Sequence, residues 1–192
     1  MRRSERRAGI LRAAQRKPTS ARRAPPARRG DARIGLLLQV LDEAFLARGW
    51  QGATLSGAVR GLTAKQALWR PGGLRSRHNI WELVLHTAYW KHVVRERVEG
   101  SGHTVFPRPP RNFPSLPRPA DAAAWKADVG LLKRQHELLR RAVSRLSPGR
   151  LDAPVNRSPW VVAEQLFGVA AHDLYHTGQI QLLKALQRQR RR

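Results

Sequence analysis

Ile34, Leu37, Leu38, Leu41 and Phe45 recur at intervals of three and four residues, the period that gathers apolar side chains on one face of a helix. This spacing predicts a first helix from residue 34 to Gly49. The same period returns in three later segments. One follows Asn79, an N-cap with Glu82 three residues on as its capping-box partner, and runs to Glu99 before Gly100-Ser101-Gly102. Another starts at the N-cap Asp121 and ends before Ser147-Pro148-Gly149. The last takes Ser158 as N-cap and Pro159 as first helical residue, and continues into the basic C-terminal end. Between the first two, Leu55, Val59, Leu62 and Leu68 are interrupted by Gly57 and Gly61, the pattern of a short helix or turn-rich connection ending at Pro71-Gly72-Gly73. Residues 101–119 hold six prolines and cannot be helical; Phe106, Phe113 and Leu116 predict a long loop that packs on the domain. Nothing alternates like a strand. Four long amphipathic helices require an all-α fold, a four-helix bundle over residues 34–187 around one core.

The charge is unevenly placed. The 192 residues carry a formal charge of +24. Residues 1–33 hold 12 Lys or Arg against Glu5 and Asp31, with Ile10 and Leu11 as their large aliphatic residues. Such a segment buries too little apolar surface to offset its ordering entropy, so residues 1–33 are expected to be a disordered basic tail. Arg188, Arg190, Arg191 and Arg192 make residues 188–192 a basic C-terminal end. The 24 charges first suggest nucleic acid, but 14 of them lie in these two tails. Nucleic-acid binding through the tails, with structural histidines, is therefore the rival reading. No apolar run is long enough to span a membrane, and no apolar stretch follows the basic N-terminus as in a secretory signal. A cytoplasmic protein is expected.

There is no cysteine, which removes disulfides, thiolate metal sites and a protein-borne sulfur nucleophile. The chemistry then rests on the seven histidines. A bundle interior is lined by positions four and three residues apart. Leu83-His86-Trp90-Val93 is one such seam, and Val169-His172-His176-Gln179-Leu183 is another. His172 and His176, at i and i+4, stack on one helical face and can reach one metal ion, with His86 as a third ligand from a neighbouring helix. Zinc, nickel, copper and iron all accept imidazole. His92 lies off its seam and is excluded. His136, on the seam from Trp125 to Leu146, has no histidine companion and is read as a core or rim residue. Trp90 and Gln179 are candidates for a substrate pocket. Asp173 is a candidate acceptor for an imidazole N–H, or a buried partner for an arginine on another helix. Gly178 is expected to admit a closely packed neighbour.

The stretch Ala171-His172-Asp173-Leu174-Tyr175-His176-Thr177-Gly178-Gln179-Ile180 resembles the signature helix of the DinB-like (DNA-damage-inducible) superfamily. His86, within Trp81 to Trp90, resembles that family's other histidine-bearing helix, and the resemblance covers about residues 34–187. It implies a four-helix bundle with a divalent metal, commonly zinc or nickel, held by His86, His172 and His176. It also implies thiol-dependent transferase or isomerase chemistry using a low-molecular-weight thiol and an electrophile, and it does not imply DNA binding. A metal ion with an open position binds a thiol as thiolate, the competent nucleophile; activated water would instead give a hydrolase on the same site. A homodimer is compatible with such a fold.

Overall fold

The computed structural model describes residues 31–46, 49–73, 78–100, 104–156 and 158–190. The reading of residues 1–33 as a tail therefore lies outside the described residues except at its last three positions, as do Arg191, Arg192 and His103. The described residues form six α-helices: α1 (Ala32–Phe45), α2 (Leu55–Val59), α3 (Ala64–Leu68), α4 (Ile80–Glu99), α5 (Ala122–Ser144) and α6 (Val162–Gln189). Among the described residues there is no strand, and no helix is long and apolar enough to cross a membrane.

The local capping signals set the starts of α4 and α5. The Asn79 side chain accepts from the Glu82 amide while Glu82 accepts from the Asn79 amide, and Asp121 accepts from the Ala124 amide. Three other boundaries differ from expectation. α1 begins at Ala32, because Asp31 accepts from the Arg33 amide. It stops at Phe45 rather than Gly49, where Gln51 Nε2 folds back onto the Glu43 carbonyl. α6 starts at Val162, not after Ser158 and Pro159. The amides of Val162 and Ala163 are met by the carbonyls of Ala153 and Leu151, so the preceding chain does the work of a cap. Ser158 Oγ accepts instead from Trp160 N and Gln165 Nε2. The weak segment after α1 is two short helices, α2 and α3, capped by Thr54 and Thr63.

The four long helices form a ring in which α1 packs on α5 and α6, and α4 packs on α5 and α6. Contacts at both ends give their directions. Trp81 Nε1 donates to Asp128 Oδ2 near the starts of α4 and α5, so these two run parallel. Arg140 on α5 binds Asp42, and His136 stacks on Phe45, so α1 and α5 are antiparallel. His86 faces His172 and His176 while Arg97 donates to Gln165, so α4 and α6 are antiparallel. Parallel neighbours oblige the chain between α4 and α5 to travel back about 30 Å, the length of a 20-residue helix. The proline-rich segment makes that return pinned to the bundle, with Phe106 buried, Arg108 paired with Asp128, and Pro114 buried.

The helical pattern predicts one continuous core; the described residues form two apolar clusters. The first gathers Phe45, Leu55, Trp81, Leu85, Trp125, Leu132 and Ile180. The second gathers Leu41, Val94, Val98, Leu139, Leu151, Leu166 and Val169. The level between them is polar and buried: His86 and Lys91 on α4, His136 on α5, Asp173 and His176 on α6.

Candidate metal centre

The antiparallel contact of α4 with α6 brings His86 opposite His172 and His176, one helical turn apart. Nε2 of His172 lies 3.1 Å from Nε2 of His86 and 3.0 Å from Nε2 of His176. One ligand atom from each of the three falls within 4.8 Å of the others. The sequence placed these three on inward seams, and the structure brings them together.

The outer nitrogens decide what the inner ones can do. His86 Nδ1 is 2.7 Å from the Asn112 carbonyl and His176 Nδ1 is 2.7 Å from Gln179 Oε1. Both oxygens are acceptors, so each Nδ1 carries the proton and each Nε2 presents a lone pair. His172 Nδ1 is buried and has no hydrogen-bond partner among the described residues. If it holds the proton, three lone pairs converge on one point. If Nε2 holds it, that N–H serves only one of its two neighbours and Nδ1 stays buried and unmet. In either tautomer at least one inner nitrogen is left without a proton to accept, and a shared cation answers the converging lone pairs, though not the far nitrogen of His172. Three imidazoles on a tetrahedral zinc, with bonds of about 2.0–2.1 Å, have nitrogens about 3.3 Å apart. The two separations from His172 Nε2 are close to this, the three ligand atoms all lie within 4.8 Å of one another, and the donor set is compatible with a divalent metal.

Burial lowers the proton affinity of all three. It pushes the His86 pKa down to about 4, with the Asn112 hydrogen bond opposing and His176 and His78 adding to the fall. The His172 pKa is pushed down to about 3 by burial, then by His176, His86 and Lys91. Burial lowers His176 too, with Gln179 opposing. At neutral pH all three imidazoles are uncharged, the form that ligates metal.

The surroundings sort the remaining candidates. Trp90 is half-buried, its Nε1 donates to Asn112 Oδ1 at 2.9 Å, and its ring stands 6.4 Å from that of His86. It lines a cavity of about 1080 Å³ that opens beside His86 and His172. Gln179 does not line that cavity; it holds the His176 ring instead. Asp173 does not touch an imidazole: it is wholly buried and ion-paired with Lys91 on α4, a lysine rather than an arginine partner. Among the described residues a Cβ added at Gly178 would meet nothing within 4 Å, so no close neighbour is packed against this glycine there. His92 bonds to the Thr104 carbonyl, and His136 stacks 4.0 Å from Phe45; neither joins the triad.

Two residues carried no warning in the helical pattern. Asn112, in the left-handed region at φ 69°, meets His86 with its carbonyl and Trp90 with its side chain. Phe113 is stacked between His86, at 4.0 Å, and His78, at 3.9 Å. Both come from the return loop, whose prolines and embedded aromatics were the available signal.

No curated protein and no solved structure matches the chain. A family match covers residues 47–180, which include all three histidines and the return loop, and by that match the chain belongs to the DinB superfamily.

Proposed function

We propose that His86, His172 and His176 hold one divalent metal ion, zinc or nickel, and that this centre serves transfer chemistry with an external low-molecular-weight thiol. The convergence of three Nε2 atoms, two of them fixed as lone-pair donors by Asn112 and Gln179, carries the reading. Bound there, such an ion supplies Lewis acidity and an open position that lowers the pKa of an incoming thiol or water. The chain contributes orientation: the Asn112 carbonyl and Gln179 amide stop the His86 and His176 rings from turning. Phe113 stacks on the His86 ring, and Trp90 lines the cavity beside it. The nucleophile comes from outside, because the chain has no cysteine.

Thiol transfer is favoured over hydrolysis by what lines the cavity. Among the described residues that line it, Glu164 is the single carboxylate, and it accepts from the Val161 amide at the start of α6. It lies eight residues before His172, about 12 Å along the helix. The carboxylates nearest the triad along its helices, Glu82 and Asp173, are ion-paired with Arg70 and Lys91, which makes them poor acceptors for a proton from water.

Metal analysis of untagged protein tests the site. Wild type retains about one divalent ion per chain, whereas His86→Ala and His172→Ala, folded by circular dichroism, retain almost none. Equal metal content in all three proteins refutes the site. Thermal stabilisation of the loaded protein by one of a panel of thiols, absent with their alcohol analogues, supports the thiol assignment.

A further inference from the structure

The cavity beside the triad continues well beyond it. His86, Trp90, Val94 and Arg97 are spaced at four, four and three residues, so they form one stripe along α4, and all four line the cavity. From His86 to Arg97 the helix rises about 16 Å. Leu37, Val169 and Ala163 form walls from α1 and α6, and the large side chains of Leu36, Trp160 and Phe167 stand exposed at the rim. The groove is therefore a mainly apolar trough with imidazoles at one end and a guanidinium at the other, where Glu164, held by the Val161 amide, also belongs to the lining.

That guanidinium lacks an acidic partner. Arg97 is half-buried and its Nη1 donates to the neutral Gln165 Oε1 at 2.7 Å; no carboxylate pairs with it among the described residues. Arg33, near the mouth, is already held by Asp31 and Asp152. A planar fork of donors beside an apolar wall suits a carboxylate attached to an apolar body.

We infer that this groove binds an amphiphilic carboxylate, with its anionic head on Arg97 and its apolar body lying over Trp90 and Val94 toward the triad. This deepens the proposed function by giving the class of molecule presented to the metal; only the role of the end that reaches the triad rests on that reading. The head and body contacts belong to α1, α4 and α6 and do not require a bound ion.

Decanoate and decan-1-ol, titrated into full-length protein and followed by Trp fluorescence and calorimetry, separate the contributions. Decanoate is expected to bind at least about ten-fold more tightly than the alcohol, the worth of a charge-assisted hydrogen-bonded pair. Arg97→Gln abolishes that preference and keeps alcohol binding and metal content; Arg97→Lys keeps part of the preference. The preference persists in protein stripped with EDTA. Equal affinity for the two ligands, an unchanged preference in Arg97→Gln, or loss of the preference on metal removal, which would put the head on the ion, overturns the inference. So does a dimer in sedimentation that covers Trp160 and Phe167 and is undisturbed by decanoate. A failed metal site, read from metal content, leaves the decanoate result standing, so the two readings fail separately.

Discussion

Each histidine of the triad acts according to what holds its far nitrogen, and those partners come from different distances along the chain. Gln179 is three residues from His176, on the same helix face, and the spacing that exposes one exposes the other. Asn112 is 26 residues from His86 and arrives by the return loop, so no periodicity announces it. That difference explains why the three imidazoles were legible in the sequence while the residues that orient them were only half so. Gly178 shows the opposite error. Glycine within a histidine motif suggests a close approach, yet none of the described residues approaches it. Its cost is then purely conformational, in an exposed helix interior. Gly178→Ala is expected to raise stability by about 0.5–1 kcal/mol in urea unfolding, with unchanged metal content. A destabilised variant would mean that the site needs a flexible backbone there.

At the scale of elements, α4 and α6 are joined at the site by a buried ion pair. Lys91 and Asp173 are both fully buried, and the lysine Nζ also stands 4.8 Å from the centre of the Phe45 ring. Burial pushes the Asp173 pKa up to about 6 despite the attraction of Lys91, and its Oδ1 has no hydrogen-bond partner among the described residues. The pair is therefore incompletely satisfied, which fits a clamp between helices better than a large source of stability. Removing one partner strands the other: Lys91→Met is expected to cost about 3–5 kcal/mol. Adding Asp173→Leu should restore most of that loss, because two apolar side chains then occupy the same space. Urea midpoints measure both effects. A double variant that folds but loses metal would show that the pair also sets the distance between His86 and His172. Neither partner was legible as a pair, since Lys91 lies off the apolar seams and charge at such a position normally reads as solvent-facing. The caps at Asn79 and Asp121 were legible because their partners are three residues away; the start of α6 was not, because its amides are met from Leu151 and Ala153.

Across the whole molecule, the polar level between the two apolar clusters makes folding sensitive to acid. Burial lowers the pKa of His86 to about 4 and of His136 and His172 to about 3, and it lowers His92 and His176 as well. In the unfolded chain these groups titrate near 6.5. Between that value and the folded values the unfolded state binds more protons, so stability falls as pH falls, by about 1.4 kcal/mol per pH unit for each fully titrating group. Asp173 acts in the opposite sense: its raised pKa makes the folded state hold an extra proton between 3.8 and about 6, which offsets one histidine in that window. The net slope remains that of several imidazoles. The thermal midpoint of metal-free protein is thus expected to drop steeply from pH 7 to pH 5. His136 allows a separate check, because it is buried, outside the triad, and both its ring nitrogens lack hydrogen bonds among the described residues; Asp42 lies 3.4 Å from Nε2 without making one. His136→Leu should be at least as stable as wild type at pH 7 and should lose less on acidification. Divalent metal should raise the midpoint more at pH 7 than at pH 5, since protons compete for the same nitrogens. A midpoint that stays level across this range would show that the imidazoles are not buried as neutral groups, and would remove the electrostatic basis for the metal centre.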